Sequence, residues 1–195
     1  MSHVDKNRVH NFVSDLLSLE KHVLSAIQKQ KQSDAVQQLE EASELLNLLE
    51  DSLSEQVTIL EKAANIYGSP IANELKSKIA GLAGSVAGLV DTARKDPVSK
   101  ILRDDYTAIS MLAAGHTMLK ATALAADDED LQHIAGNHLA ELARLVTEIS
   151  RVLPLSVVTE LVDDKEEAEK IGQKAVEKTQ KAWKGENIKK APNLV

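Results

Sequence analysis

The sequence predicts an all-α protein, an antiparallel bundle of four long helices, and three observations carry that prediction. Apolar residues recur at steps of three and four along most of the chain, as amphipathic helices require. Only four prolines and eight glycines interrupt 195 residues, too few for a turn-rich β fold. Aromatic residues make up 2% of the chain against 43% hydrophobic residues overall. The core must therefore be built from Leu, Ile, Val and Ala, which suits closely spaced helices better than a sheet.

The elements follow in order. A first helix over residues 5 to 31 is marked by Phe12, Val13, Leu16, Leu17, Val23, Leu24 and Ile27, and Lys29 to Lys31 place positive charge at its C-terminal end. A second helix over 34 to 66, with Asp34 as its cap, carries Val36, Leu39, Leu45, Leu46, Leu49, Leu53, Val57 and Leu60. Tyr67-Gly68-Ser69-Pro70 ends it. Residues 71 to 94 read as a helical crossover whose small residues Ser77, Gly81, Gly84, Ser85 and Gly88 allow close packing. No strand precedes these glycines and no Lys-Ser or Lys-Thr follows them, so they do not form a phosphate loop. Asp96-Pro97 breaks the chain, Ser99 caps a helix over 99 to 126, and Asp127-Asp128 turns into a last strong helix over 129 to 152, closed by Leu153-Pro154. Residues 1 to 162 thus form the bundle. Residues 163 to 195 form a charged tail with a short helix around 165 to 183, in which Trp183 is a candidate contact for a protein partner.

Composition narrows the function classes. The formal net charge is -7, the reverse of what a general nucleic-acid binder shows. The absence of cysteine excludes disulfides, thiolate catalysis and Cys-ligated metal centres. No signal-peptide order and no apolar run of ~20 residues is present, so the expectation is a cytoplasmic protein with no membrane partner. No serine triad or nucleotide cradle stands out. The chemistry that does stand out is imidazole and carboxylate on apolar helices. His116 on one helix faces His138 and Glu141 on the next if the two lie antiparallel, which makes a metal site inside the bundle the sharpest reading. Of the carboxylates on the second helix, Glu44, Glu50, Glu55 and Glu61, Glu50 lies nearest the middle and is the candidate to complete the site.

Two stretches carry a resemblance. NFVSDLLSLEKHVLSAI, residues 11 to 27, resembles the first helix of the ferritin-like superfamily, in particular the bacterial stress-associated YciE/YciF-type proteins. DYTAISMLAAGHTMLKATALA from 105 and HLAELARLVTEISRVLP from 138 resemble related uncharacterised ferritin-like proteins. The resemblance implies a ferritin-like four-helix bundle with a helical crossover, and it puts Glu20 in the place of a metal-ligand glutamate. The implied ligand set is then Glu20, Glu50, His116, His138 and Glu141. By ligand type, two imidazoles and two carboxylates suit iron, manganese or zinc, with iron or manganese favoured if oxygen or peroxide chemistry occurs; the resemblance adds a stress-response role. The chain departs from the di-metal pattern, because residues 34 to 66 contain no histidine and His138-Leu139-Ala140-Glu141 reverses the usual Glu-x-x-His order. The competing expectation is a non-catalytic structural or interaction module that kept the bundle and lost the metal. A homodimer through residues 5 to 66 is expected, since Leu45-Leu46 and Leu48-Leu49 spread apolar surface beyond one narrow stripe.

Overall fold

The computed structural model describes residues 6–66 and 97–186. Six helices lie among these residues: α1 (Lys6–Gln30), α2 (Asp34–Gln38), α3 (Glu40–Ile66), α4 (Val98–Ala126), α5 (Glu129–Leu161) and α6 (Lys165–Trp183). The expected crossover at 71 to 94, with its small-residue stripe, lies outside the described residues. No helix among them is long and apolar enough to cross a membrane.

The chain folds as a helical bundle because α1, α3, α4 and α5 each bury one seam with the alternating three and four spacing of helices packed nearly parallel to their neighbours. On α1 the seam runs Val9, Val13, Leu16, Glu20, Val23, Ile27 and Gln30; on α3 it runs Leu46, Leu49, Leu53, Gln56, Leu60 and Ala63. On α4 it is Leu102, Asp105, Ile109, Leu112, His116, Leu119 and Ala123, and on α5 Leu131, Ala135, His138, Leu142, Leu145 and Ile149. Polar contacts fix the directions. Lys21 pairs with Glu61 while Gln28 bonds Glu50, so α1 and α3 are antiparallel. A Cβ on Gly115 would meet Leu16, and Gln30 bonds Asp105 at the other end, so α1 and α4 are antiparallel too. α4 and α5 run antiparallel across their two-residue turn, since His116 stacks on His138 and Ser99 bonds Glu160 far along both helices. Consequently α3 and α4 point the same way.

Local chemistry explains where the elements begin and end, and it corrects several expectations. Asp127 takes the left-handed conformation at φ 56° to end α4, and the Asp128 side chain accepts from Leu131 N at 2.9 Å to start α5. The single helix expected over 34 to 66 is divided at Leu39, whose extended backbone (φ -111°, ψ 102°) ends α2. Its carbonyl then accepts from Ala42 and Ser43 to start α3. This break lets Val36, 1% exposed, fold over the end of the core. Asp34 stands in the first turn of α2 rather than at its cap, which is Ser33. Ser99 is likewise not a cap: its backbone N–H and hydroxyl donate to Glu160 at 2.8 and 2.5 Å, so a carboxylate from α5 satisfies the start of α4. Nor does Pro154 close the last strong helix, as α5 continues through it to Leu161. Proline removes one backbone donor there, while the extra turns bury Ser156 and Val158 and seat α6, where a Cβ on Gly172 would come within 2.7 Å of Leu155. Trp183, 57% exposed, sits edge-on to Tyr106 with ring centroids 6.1 Å apart.

Candidate metal centre

Three of the four seams deliver a ligand-type side chain to one place. Glu20 is the fourth seam position of α1, His116 the fifth of α4 and His138 the third of α5, and all three are buried. Antiparallel packing brings these positions to one level. Glu20 Oε1 and His116 Nε2 are 2.6 Å apart, His138 Nδ1 lies 4.0 Å from the same Glu20 oxygen, and the imidazoles stand edge to face with centroids separated by 4.8 Å. One donor atom from each of the three lies within 4.8 Å of the others. A seam position dedicated to Leu would contribute apolar burial, so three ionisable groups here carry a cost that needs a compensating partner.

That cost appears in the protonation states. Burial pushes the Glu20 carboxyl up from 4.5 to about 8, and burial pushes His116 down from 6.5 to about 4. His138 is also pushed down to about 4, by burial first and by the neighbouring His116 second. Burial thus favours the uncharged form of each group, a protonated Glu20 carboxyl and two neutral imidazoles, with Glu20 Oε1 and His116 Nε2 joined by one hydrogen bond. The hydrogen bond leaves Glu20 Oε2, His116 Nδ1 and both nitrogens of His138 buried with no partner among the described residues.

This donor set fits a cation. Neutral imidazoles are ready to coordinate, and a divalent ion restores the anionic carboxylate that burial disfavours. Bonds of about 2.1 Å space donor atoms about 3.0 to 3.4 Å apart. The Glu20–His116 and Glu20–His138 separations of 2.6 and 4.0 Å bracket that spacing, so these three residues would hold one ion. Two imidazoles and one carboxylate form the facial set of non-haem iron sites and also a common catalytic zinc set, both with open positions.

The other two expected ligands stand apart from this cluster. Glu50 accepts from Gln28 at 3.1 Å and pairs with Lys31, which holds its carboxyl below the usual range. Glu141, one turn beyond His138, is held below the usual range chiefly by Arg144, which donates to it at 2.5 and 2.9 Å, and it also accepts from Ser52 at 2.8 Å. Both carboxylates already have cationic partners on the outer side of the bundle. Of the remaining second-helix candidates, Glu61 pairs with Lys21 at 2.6 Å, and Glu44 lines a surface groove with Arg151.

One seam residue escapes a search for histidine and carboxylate. Gln56 is 3% exposed, and neither its amide oxygen nor its amide nitrogen has a partner among the described residues. Its signal is legible in the run Leu46, Leu49, Leu53, Gln56, Leu60, where an amide replaces leucine in an otherwise unbroken seam. Asp105 also escapes such a search, because it stands beside Arg103 and Asp104 in a charged stretch that reads as solvated; it is buried on α4, bonds Gln30 and is pushed up to about 7 by burial.

The chain matches no protein-family model, no curated protein and no solved structure at a significant level. The geometry therefore carries the functional reading.

Proposed function

We propose that this protein is a metal-binding helical bundle that holds a single transition-metal ion on Glu20, His116 and His138. The carrying observation is the convergence of one carboxylate and two imidazoles, all buried, with four of their polar atoms lacking a partner among the described residues. Oxygen and nitrogen donors without any cysteine favour iron or manganese over softer ions when redox chemistry is involved. Such an ion, when bound, would supply oxygen or peroxide chemistry at its open positions. Two features support a ferritin-like type: the like direction of α3 and α4, which a long crossover produces, and the resemblance around Glu20, His116 and His138. A cytoplasmic stress-response role and a homodimer belong to the same proposal.

Elemental analysis of untagged protein purified without chelator tests it. About one equivalent of iron or manganese per chain is expected, lost in Glu20→Ala and in His116→Ala. Less than about a tenth of an equivalent after anaerobic reconstitution would reject the reading.

A second reading rests on the 2.6 Å Glu20–His116 hydrogen bond, by which two of the three groups satisfy each other directly. In it the trio is a structural layer that fixes helix register, as buried polar seam residues do in coiled coils.

A further inference from the structure

The polar layer is larger than the three ligands. Gln56 is the one polar residue in the α3 seam, with Leu53 and Leu60, each 0% exposed, one turn to either side. Its level in the bundle follows from register. Ser52 on α3 donates to Glu141 on α5 at 2.8 Å. α5 runs antiparallel to α4, and α4 runs parallel to α3, so α3 and α5 are antiparallel. One turn onward along α3, at Gln56, therefore corresponds to one turn back along α5, at His138. The α1 register agrees within about one helical turn, since Lys21 pairs with Glu61 and Gln28 with Glu50. Each of the four long helices thus contributes one buried polar seam residue near this level: Glu20, Gln56, His116 and His138.

The chemistry of an amide fits that place. Glutamine has both a donor and an acceptor, and here both are buried with no partner among the described residues. A buried unpaired amide in a leucine seam is costly, and leucine would fill the position without that cost. An ion held by three protein donors keeps at least one position for water, and such a water needs two or more polar partners in a buried chamber. We infer that Gln56 is a positioning residue of the metal centre, hydrogen-bonded to the water that completes the coordination of an ion on Glu20, His116 and His138. The inference rests on the metal-binding reading and adds the fourth helix to the site. It also commits the chamber to a hydrated single ion, because the α3 seam supplies a neutral amide where a second ion would need another carboxylate.

Cobalt(II) titrated into the metal-free full chain tests this, followed by calorimetry and by the visible absorption of the bound ion. Wild-type protein is expected to bind one equivalent. Gln56→Leu should weaken binding about 10- to 100-fold, the usual effect of removing an outer partner of a metal site, and should shift the visible bands. Gln56→Glu should tighten binding, because it turns a carboxylate toward the cation. Gln56→Met keeps the side-chain length without the amide, and it replaces the leucine variant if that variant loses helical circular dichroism. Affinities within twofold of wild type together with superimposable spectra for the apolar variants would overturn the role of Gln56 while leaving the three-ligand site intact. Failure of the wild-type chain to bind cobalt(II) would instead overturn the metal-binding reading itself.

Discussion

Glu20→Gln separates the demands of folding from those of ion binding, and its effect can be worked from the burial of one carboxyl. In the metal-free fold the Glu20 carboxyl is pushed from 4.5 to about 8 by burial. A raised pKa means that folding favours the protonated form, so the contribution of Glu20 to stability is fully present below pH 4.5 and is lost as pH rises through 8. Each pH unit between those limits costs about 1.4 kcal/mol. By pH 7 the loss is about 3 kcal/mol, and above pH 9 it approaches about 5 kcal/mol. Glutamine cannot ionise, yet its amide N–H can still donate to His116, so the variant escapes the loss without stranding the imidazole. The two histidines have the opposite sign. Their contribution is present above pH 6.5 and is lost as pH falls through 4, but both proteins share it and it cancels in the difference. Thermal melts in chelator should therefore coincide near pH 4.5, and at pH 7 the variant should melt higher by about 6 to 12 °C for a chain of this size. Cobalt(II) at about 1,000 times its dissociation constant should reverse the order, since it stabilises the wild type by about 4.1 kcal/mol, more than the loss at pH 7, and the variant offers no carboxylate. A variant no more stable than wild type in chelator at pH 8, or a difference that does not change with pH, would refute the reasoning.

Three other substitutions probe the surroundings. Asp105, pushed up from 3.8 to about 7 chiefly by burial, withdraws stability as pH rises from 4 through 7. Asp105→Asn should therefore raise stability at pH 7 by about 3 to 4 kcal/mol and leave it unchanged at pH 4, as urea melts at the two pH values would show. Gly115→Val should cost about 1 to 3 kcal/mol and weaken ion binding, because a Cβ already comes within 2.7 Å of Leu16 and a branched side chain pushes the His116 helix away from α1. Glu141→Ala should change stability by less than about 1 kcal/mol and leave cobalt(II) affinity unchanged; loss of binding would return Glu141 to the ligand set.

What the sequence made legible was set by periodicity. Long apolar repeats identify α1, α3, α4 and α5 because burial of one stripe dictates their spacing, and His116 and His138 were visible as rare imidazoles inside such repeats. Glu50 was attractive because helical phase and residue type cannot show a partner on another helix, whereas Arg144 stands at i,i+3 from Glu141 and was a legible competitor. Lys31 and Arg144 neutralise them, and only the Lys31 pairing depends on tertiary geometry. The run of α5 through Pro154 was illegible for a related reason: the local cost of a missing donor is offset by packing of Ser156, Val158 and the following helix. Leu39 broke the expected helix because the chain had to reverse between α1 and α3, a demand of topology that its own side chain does not advertise.

The balance between a structural layer and a metal centre turns on what the buried polar groups are paired with. A register device works best when its groups satisfy one another, since each buried donor or acceptor left unpaired costs about 1 to 3 kcal/mol. Here Glu20 and His116 form one good hydrogen bond, while His138 forms none and Gln56 forms none among the described residues. Leucine at the Gln56 and His138 positions would keep the seam spacing and remove the penalty. Water can satisfy such atoms but leaves Glu20 protonated, so it offers nothing that a leucine layer does not. A cation uses both imidazoles as they stand and restores the carboxylate to its charged form. It would also give the amide of Gln56 a hydrated ion to face, so one ligand accounts for the four polar groups at this level of the core.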